Sequence, residues 1–196
     1  MSTILREHFE KFITLNDAEF IYLLSHFSFK KVKRRRILLE QGDMVNNDYF
    51  VLSGCLKSYT VDDFGKEHIL QFALEGWWIA DMYSFLTGEP STYDIDALED
   101  TVVLRISYED LIDLYMKAPK FDRIFRVLLE NHFMQQQDRI GQLFSSTAEE
   151  RYQSFLETYP HLQNRLSQVQ IAAYLGVTPE FLSRIRSRMA KGDRQS

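Results

Sequence analysis

The chain has a single cysteine, Cys55, among 196 residues. One thiol excludes an internal disulfide and, within one chain, an all-cysteine zinc or iron–sulfur site. No apolar run approaches the roughly 20 residues of a membrane span. The N-terminus, MSTILREHFEKF, is charged and amphipathic and lacks a secretory apolar core. A cytoplasmic protein that does not enter a membrane is therefore expected. Neither a phosphate-cradling glycine loop nor a Ser/His/Asp constellation is present. The five histidines (His8, His26, His68, His132, His161) are scattered, so nothing nominates a metal or haem ligand.

What is there suffices for a sizeable core: 45% hydrophobic and 14% aromatic residues. The formal net charge is −5, but it is unevenly spread. From Gln163 onward, Arg165, Arg184, Arg186, Arg188, Lys191 and Arg194 face only Glu180 and Asp193. An acidic body with a basic C-terminal patch suits docking on a polyanion by one end.

Two short helices are expected over residues 3–28, with Asp17 capping the second. A basic run, Lys30 to Arg36, reads as a solvated strand edge that resists aggregation, with a nucleic-acid patch as the alternative. Residues 37–107 read as all-β. Short apolar runs end at Gly42, Gly54, Gly65, Gly76 and Gly88, and Asp62-Asp63-Phe64-Gly65 signals a hairpin. The pattern predicts a small jelly-roll barrel. Ser107 caps a helix to about Met116. Pro119 opens a long helix to about Ser146, with a seam at Phe121, Ile124/Phe125, Leu128, Phe133, Gln136, Ile140 and Leu143 near coiled-coil spacing. So long a helix outreaches so small a barrel, which predicts a parallel homodimer. Thr147 and Glu150 form a capping box for a further helix. The fold class is α+β, with a sensor-like domain at 1–118, a dimerisation helix at 119–146 and a DNA-binding domain at 147–196.

That last domain ends in Ser167–Met189, SQVQIAAYLGVTPEFLSRIRSRM, which reads as a helix-turn-helix. Ile171, Ala172 and Leu175 form an apolar stripe, and Gly176 supplies the permissive backbone of a tight turn. Thr178 is a good N-cap, Pro179 suits the first helical position and Glu180 the positive first turn. Leu182 and Ile185 bury one face; Glu180, Ser183, Arg184, Ser187 and Arg188 occupy the other. Such side chains read base edges in the major groove. An ordinary αα-hairpin with a solvated face is the alternative.

The order of β domain, long helix, short helix and helix-turn-helix resembles the Crp/Fnr family of bacterial transcription regulators over nearly the whole chain. Glu40-Gln41-Gly42-Asp43, Tyr49–Gly54, Gly76–Asp81 and Ala148–Arg151 carry the resemblance. The wording is similar to the short Crp/Fnr-like proteins of Bacteroidetes. The resemblance implies a homodimer on double-stranded DNA, a pseudo-palindromic operator and contact with RNA polymerase. It implies base contacts by Glu180, Ser183 and Arg184, a phosphate contact by Thr178 and backbone contacts by Arg186 and Arg188. It also implies a two-state rotation of the DNA-binding domain, for which Gly141–Thr147 is the candidate hinge. Only seven residues follow Met189, so little or no β-wing is expected.

The effector site departs from the family pattern. Ala80-Asp81 stands where cAMP-binding relatives carry Gly-Glu, and Ser91-Thr92-Tyr93 where they carry Arg-Ser-Ala. Losing the arginine removes the fixed cation for a cyclic phosphate, so cAMP is not expected. Asp81, Ser91, Thr92 and Tyr93, with Gln136 and Gln137 of the long helix, are the candidate pocket for an unidentified effector. No cofactor is expected, and an Fnr-like iron–sulfur cluster is excluded by the absent cysteines. Cys55 reads as packed and inert. Two rival functions remain. A cupin-type enzyme needs converging histidines, and only His68 lies in the β segment. A sensing or protein-interaction module with a vestigial DNA-binding domain fits the acidic body.

Overall fold

The computed structural model describes residues 3–192, and their side chains through Ala190. Helices α1 (Thr3–Glu10) and α2 (Asp17–Ser25) lead in. Asn16, not Asp17, caps α2: its side chain accepts from the Glu19 amide while the Glu19 carboxylate accepts from the Asn16 amide. Asp17 sits one residue inside, in the first turn, where its charge faces the helix's positive end.

Eight antiparallel strands follow: β1 (Ser28–Val32), β2 (Ile37–Leu39), β3 (Asn47–Ser53), β4 (Leu56–Val61), β5 (Glu67–Ala73), β6 (Trp78–Ile79), β7 (Asp94–Ala97) and β8 (Thr101–Ser107). They form two four-stranded sheets, in the orders β1-β8-β3-β6 and β2-β7-β4-β5. The jelly-roll order is as expected, but the sheets do not close into a barrel. Each ends on its own edge strands, so the domain is a sandwich. The basic run lies partly on β1, an edge of the first sheet, and β1 pairs only with β8. Helix α3 (Met82–Thr87) and the two-residue β6 are additions that the sequence pattern did not suggest.

Leu56, Ala73, Ile95 and Ala97 of one sheet and Phe50, Leu52, Leu104 and Ile106 of the other are buried in the first core together with Leu5 and Phe9 of α1, and Phe50 packs against His8 of α1 and Trp78. At Gly54 the backbone has φ +95°, and a Cβ there would lie 2.4 Å from Thr101 Oγ1, so only glycine fits between β3 and β4.

Helix α4 (Tyr108–Lys117), capped by Ser107, leads to α5 (Pro119–Ser145), 27 residues long. Here the expected seam divides. Phe121 and Ile124 are buried in the first core, and Phe125 and Leu128 pack on it, so the first turns belong to their own domain. The unpartnered apolar residues begin later, with Leu129, Phe133, Ile140 and Leu143 exposed and Gln136 half-buried between them. Their spacing of four and three residues is that of a coiled-coil seam.

Helix α6 (Ala148–Thr158) starts at the Thr147/Glu150 capping box; a 3₁₀ turn (Leu162–Asn164), α7 (Gln168–Leu175) and α8 (Pro179–Gly192) follow. Among the described residues no strand follows Ser107, and α8 is helical through Gly192, where a wing would otherwise begin. A second core joins Tyr152, Phe155, Tyr159, Leu162, Ile171, Ala172, Leu175, Leu182 and Ile185 to four residues of the β-sandwich, Cys55, Tyr59, Ile69 and Phe72. This explains why Leu56, Lys57, Ser58 and Tyr59 of β4 are buried in succession. The strand is covered on both faces, one by the opposing sheet and one by the C-terminal helices.

Candidate nucleic-acid interface and effector site

The reading helix is set by local chemistry at both ends of the turn. Ser167 and Gln170 form a capping box that starts α7. Gly176 ends it in the left-handed region, φ 69°, with its amide bonded to the Ala172 carbonyl. Thr178 Oγ1 then accepts from the Phe181 amide at 3.2 Å and starts α8. That hydroxyl can still donate outward, since Thr178 is exposed. Leu182 and Ile185 are fully buried against α7.

The opposite face presents Glu180, Ser183, Arg184, Ser187 and Arg188, all exposed. They recur at three- and four-residue intervals and so share one stripe. Phe181 lines a shallow depression with Ser183, Arg184, Ser187 and Arg188. The Arg184 guanidinium lies 5.3 Å from the centre of the Phe181 ring, near enough for a cation–π contact. Arg188 reaches back to Glu149 of α6 at 2.7 Å, so its charge is partly answered within the protein. Arg186 is half-buried at the side of the stripe. Of the basic tail, Arg194 lies outside the described residues. Chemically, the stripe offers a carboxylate acceptor for cytosine N4 and a forked donor for guanine O6 and N7 four residues apart.

The candidate effector site has the opposite character. Asp81 is 2% exposed. One carboxylate oxygen caps α3 by accepting from the Ser84 amide at 3.1 Å. The other accepts from Ser91 Oγ (3.1 Å), the Thr92 amide (3.0 Å) and Thr92 Oγ1 (3.3 Å). Tyr93 donates its hydroxyl to the Ala80 carbonyl at 2.8 Å, and burial raises its pKa above the ordinary phenol value. Asp81, Ser91, Thr92 and Tyr93 are thus brought together, with Ser91 and the exposed Thr92 bonded to the buried Asp81 and Tyr93 bonded to Ala80. Gln136 and Gln137 do not join them: Gln136 lies 3.5 Å from His132 along its own helix, and Gln137 is exposed. Trp78 packs on Phe50 and Phe125 and donates to His8, while Trp77 turns outward onto Tyr159.

Two arginines missed by the sequence reading tie the domains together. Arg165, counted with the basic C-terminal patch, instead forks onto Glu75 and Glu99 of the sandwich. Arg139 of α5 donates to the carbonyls of Ile69 on β5 and Tyr174 on α7, and lies 3.9 Å over the Tyr174 ring. Long-range pairs of this kind leave no periodic trace. The only signal available was an excess of acids opposite a basic patch.

Cys55 is fully buried, and burial pushes its thiol up to about 12, so it stays a protonated, unreactive thiol. Among the described residues no group of three or more His, Cys, Asp or Glu side chains is placed to hold a metal. Nor is any described helix long and apolar enough to cross a membrane.

Comparison with known proteins agrees with this architecture. The cyclic nucleotide-binding domain family matches residues 29–118. The fumarate and nitrate reduction regulatory protein of Vibrio cholerae is 33% identical over 92% of this chain and 76% of its own. The structure of FixK2 from Bradyrhizobium japonicum superposes with a TM-score of 0.74 at 20% identity, covering 85% of this chain and 86% of its own. The c-di-GMP responsive global regulator CLP of Xanthomonas campestris superposes at 0.72 and 19% identity, over 90% of this chain and 93% of its own. Both the helix-turn-helix behind a jelly-roll sandwich and the identity to a regulator along nearly the whole length place this chain in the Crp/Fnr family of transcription regulators.

Proposed function

We propose that this protein is a homodimeric, sequence-specific DNA-binding regulator whose two α8 helices enter successive major grooves of a pseudo-palindromic operator. The exposed stripe Glu180–Ser183–Arg184 carries the reading. It pairs an acceptor and a forked donor on the solvent side of a helix whose other side is fully buried. Thr178 contributes a phosphate contact at the helix N-terminus, and Arg186 and Arg188 contribute further backbone contacts. Leu129, Phe133, Ile140 and Leu143 form the seam with a second copy, since their exposure on a long helix has no answer among the described residues. Residues 1–118 act as sensor, 119–146 as dimerisation helix and 147–196 as reader, and RNA polymerase is the downstream partner.

The closed network around Asp81 favours a sensor that takes no cyclic phosphate. Its one carboxylate is already engaged by three residues, and Ser91 stands where a cation would be required. One cysteine supports regulation without an iron–sulfur cluster.

Selection from a library of pseudo-palindromic duplexes, followed by mobility-shift titration, tests the reading. Arg184→Ala should lose about 1–3 kcal/mol at one base pair per half-site and little elsewhere. A parent that selects no sequence, or an Arg184→Ala variant with an unchanged base preference, sinks it. The first result would leave the alternative, a sensing or interaction module with a vestigial DNA-binding domain.

A further inference from the structure

We propose that Arg165 and Tyr159, with Glu75, Glu99, Phe72 and Trp77 of the sandwich, form a positioning interface that fixes the recognition helix in its presented setting. This rests on the DNA-binding reading above and adds which residues set the reader's orientation. Arg165 lies between α6 and α7, just past the 3₁₀ turn. Its Nε and Nη2 donate to the two oxygens of Glu99 at 2.9 and 2.7 Å, and its Nη1 and Nη2 to those of Glu75 at 3.1 Å each. A planar guanidinium engaged on both edges is held in angle as well as in place, which an ammonium could not match. The acids themselves are well anchored. Glu75 sits in the turn between β5 and β6 and also accepts from the Gly54 amide at 2.8 Å; Glu99 sits between β7 and β8. Without Arg165 the two carboxylates would face each other uncompensated, so docking and ion pairing stand or fall together.

An aromatic contact lies beside the ionic one. Trp77 stacks on Tyr159 with centroids 5.3 Å apart. The Tyr159 hydroxyl donates to the Phe72 carbonyl, and the Phe72 ring meets Phe155, Tyr159 and Tyr174. Arg139 extends the same contact to α5. None of this covers the reading face, because Glu180, Ser183, Arg184, Ser187 and Arg188 all remain exposed in the docked arrangement. A contact that leaves the reader free while removing its freedom to swing lowers the ordering cost of binding. Docking therefore favours DNA binding.

The test uses the full chain and an operator selected by the parent. Arg165→Ala and the milder Glu99→Gln should weaken operator binding, by about tenfold for Arg165→Ala, uniformly across sequences and with the base preference of Arg184 intact. Arg165→Lys should fail to restore affinity, and Arg165→Glu combined with Glu75→Arg should recover part of it. In a Trp78→Phe background Trp77 is the only tryptophan, and its quenching by acrylamide should rise in Arg165→Ala. Tyr159→Phe keeps the fold's volume and should show the same changes more weakly. Tighter operator binding in Arg165→Ala would make docking an inhibitory contact and overturn the proposal. So would unchanged affinity, or unchanged quenching of Trp77. A parent that selects no operator overturns the DNA-binding reading itself, and the positioning role with it, whatever Trp77 reports.

Discussion

The two polar constellations of this protein differ in one respect: where their hydrogen bonds go. Around the buried Asp81 carboxylate the polar groups of Ser84, Ser91 and the exposed Thr92 converge, and Tyr93 beside them donates to the Ala80 carbonyl. Along α8 Glu180 and Arg184 are exposed, and the Arg184 guanidinium lies over Phe181. Both sets sit where the family pattern places function. Groups that answer one another build structure, while groups left open answer something outside. The contrast separates a cluster whose polar groups are engaged within the protein from one whose polar groups are exposed.

The largest effect is expected where the closed network is opened. Asp81→Ala removes the α3 cap and leaves Ser91 and the Thr92 amide without their shared acceptor. A loss of about 2–4 kcal/mol in unfolding free energy follows from a lost cap and buried polar groups left unpaired, measurable by urea titration. If Asp81→Ala instead unfolds like the parent, the cluster is no scaffold and the contrast collapses. On the open side, Glu180→Ala and Arg184→Ala should each change unfolding free energy by less than about 0.5 kcal/mol, as exposed substitutions do. Tyr93→Phe, which removes a single bond to the Ala80 carbonyl, should cost about 1 kcal/mol. A further effect is in pH. Burial pushes the Asp48 carboxyl up to about 7. Between about pH 4 and pH 7 the native state therefore holds a proton that the unfolded chain has released. Stability from this residue is present at low pH and declines as pH rises through that window. Asp48→Asn should remove that decline, so its stability relative to the parent should be greater at pH 8 than at pH 5. A constant difference across that range would place Asp48 in contact with water.

Local chemistry was readable in the sequence. Ser107, Thr147 and Thr178 cap the helices they were expected to cap, and Gly176 makes the turn in the left-handed region. These features depend on neighbours within four residues. Apart from the cap of α2, where Asn16 takes the place expected for Asp17, what was misread depends on distant ones. An apolar heptad cannot say whether its partner is a second chain or its own domain, so Phe121 and Ile124 were assigned to the wrong interface. The sandwich was taken for a closed barrel because alternation along strands says nothing about pairing at the edges. Arg165 was counted as part of a DNA-facing patch because charge along the chain does not reveal that Glu75 and Glu99 lie across from it. Of the six residues expected to line an effector pocket, Asp81, Ser91, Thr92 and Tyr93 lie together, but the sequence did not reveal that Ser91 and Thr92 bond to Asp81 or that Gln136 and Gln137 lie apart.

The second core has a consequence for modularity. Its apolar lining comes from both halves of the chain, with Cys55, Ile69 and Phe72 from the sandwich among Phe155, Tyr159 and Leu162. A fragment of residues 147–196 would expose that lining, in a piece too small to replace it from its own resources. The reader is therefore not a transferable cassette. Grafted behind another sensor it would need a new β-strand face to fold against, and in the intact chain the two halves should melt as one cooperative unit.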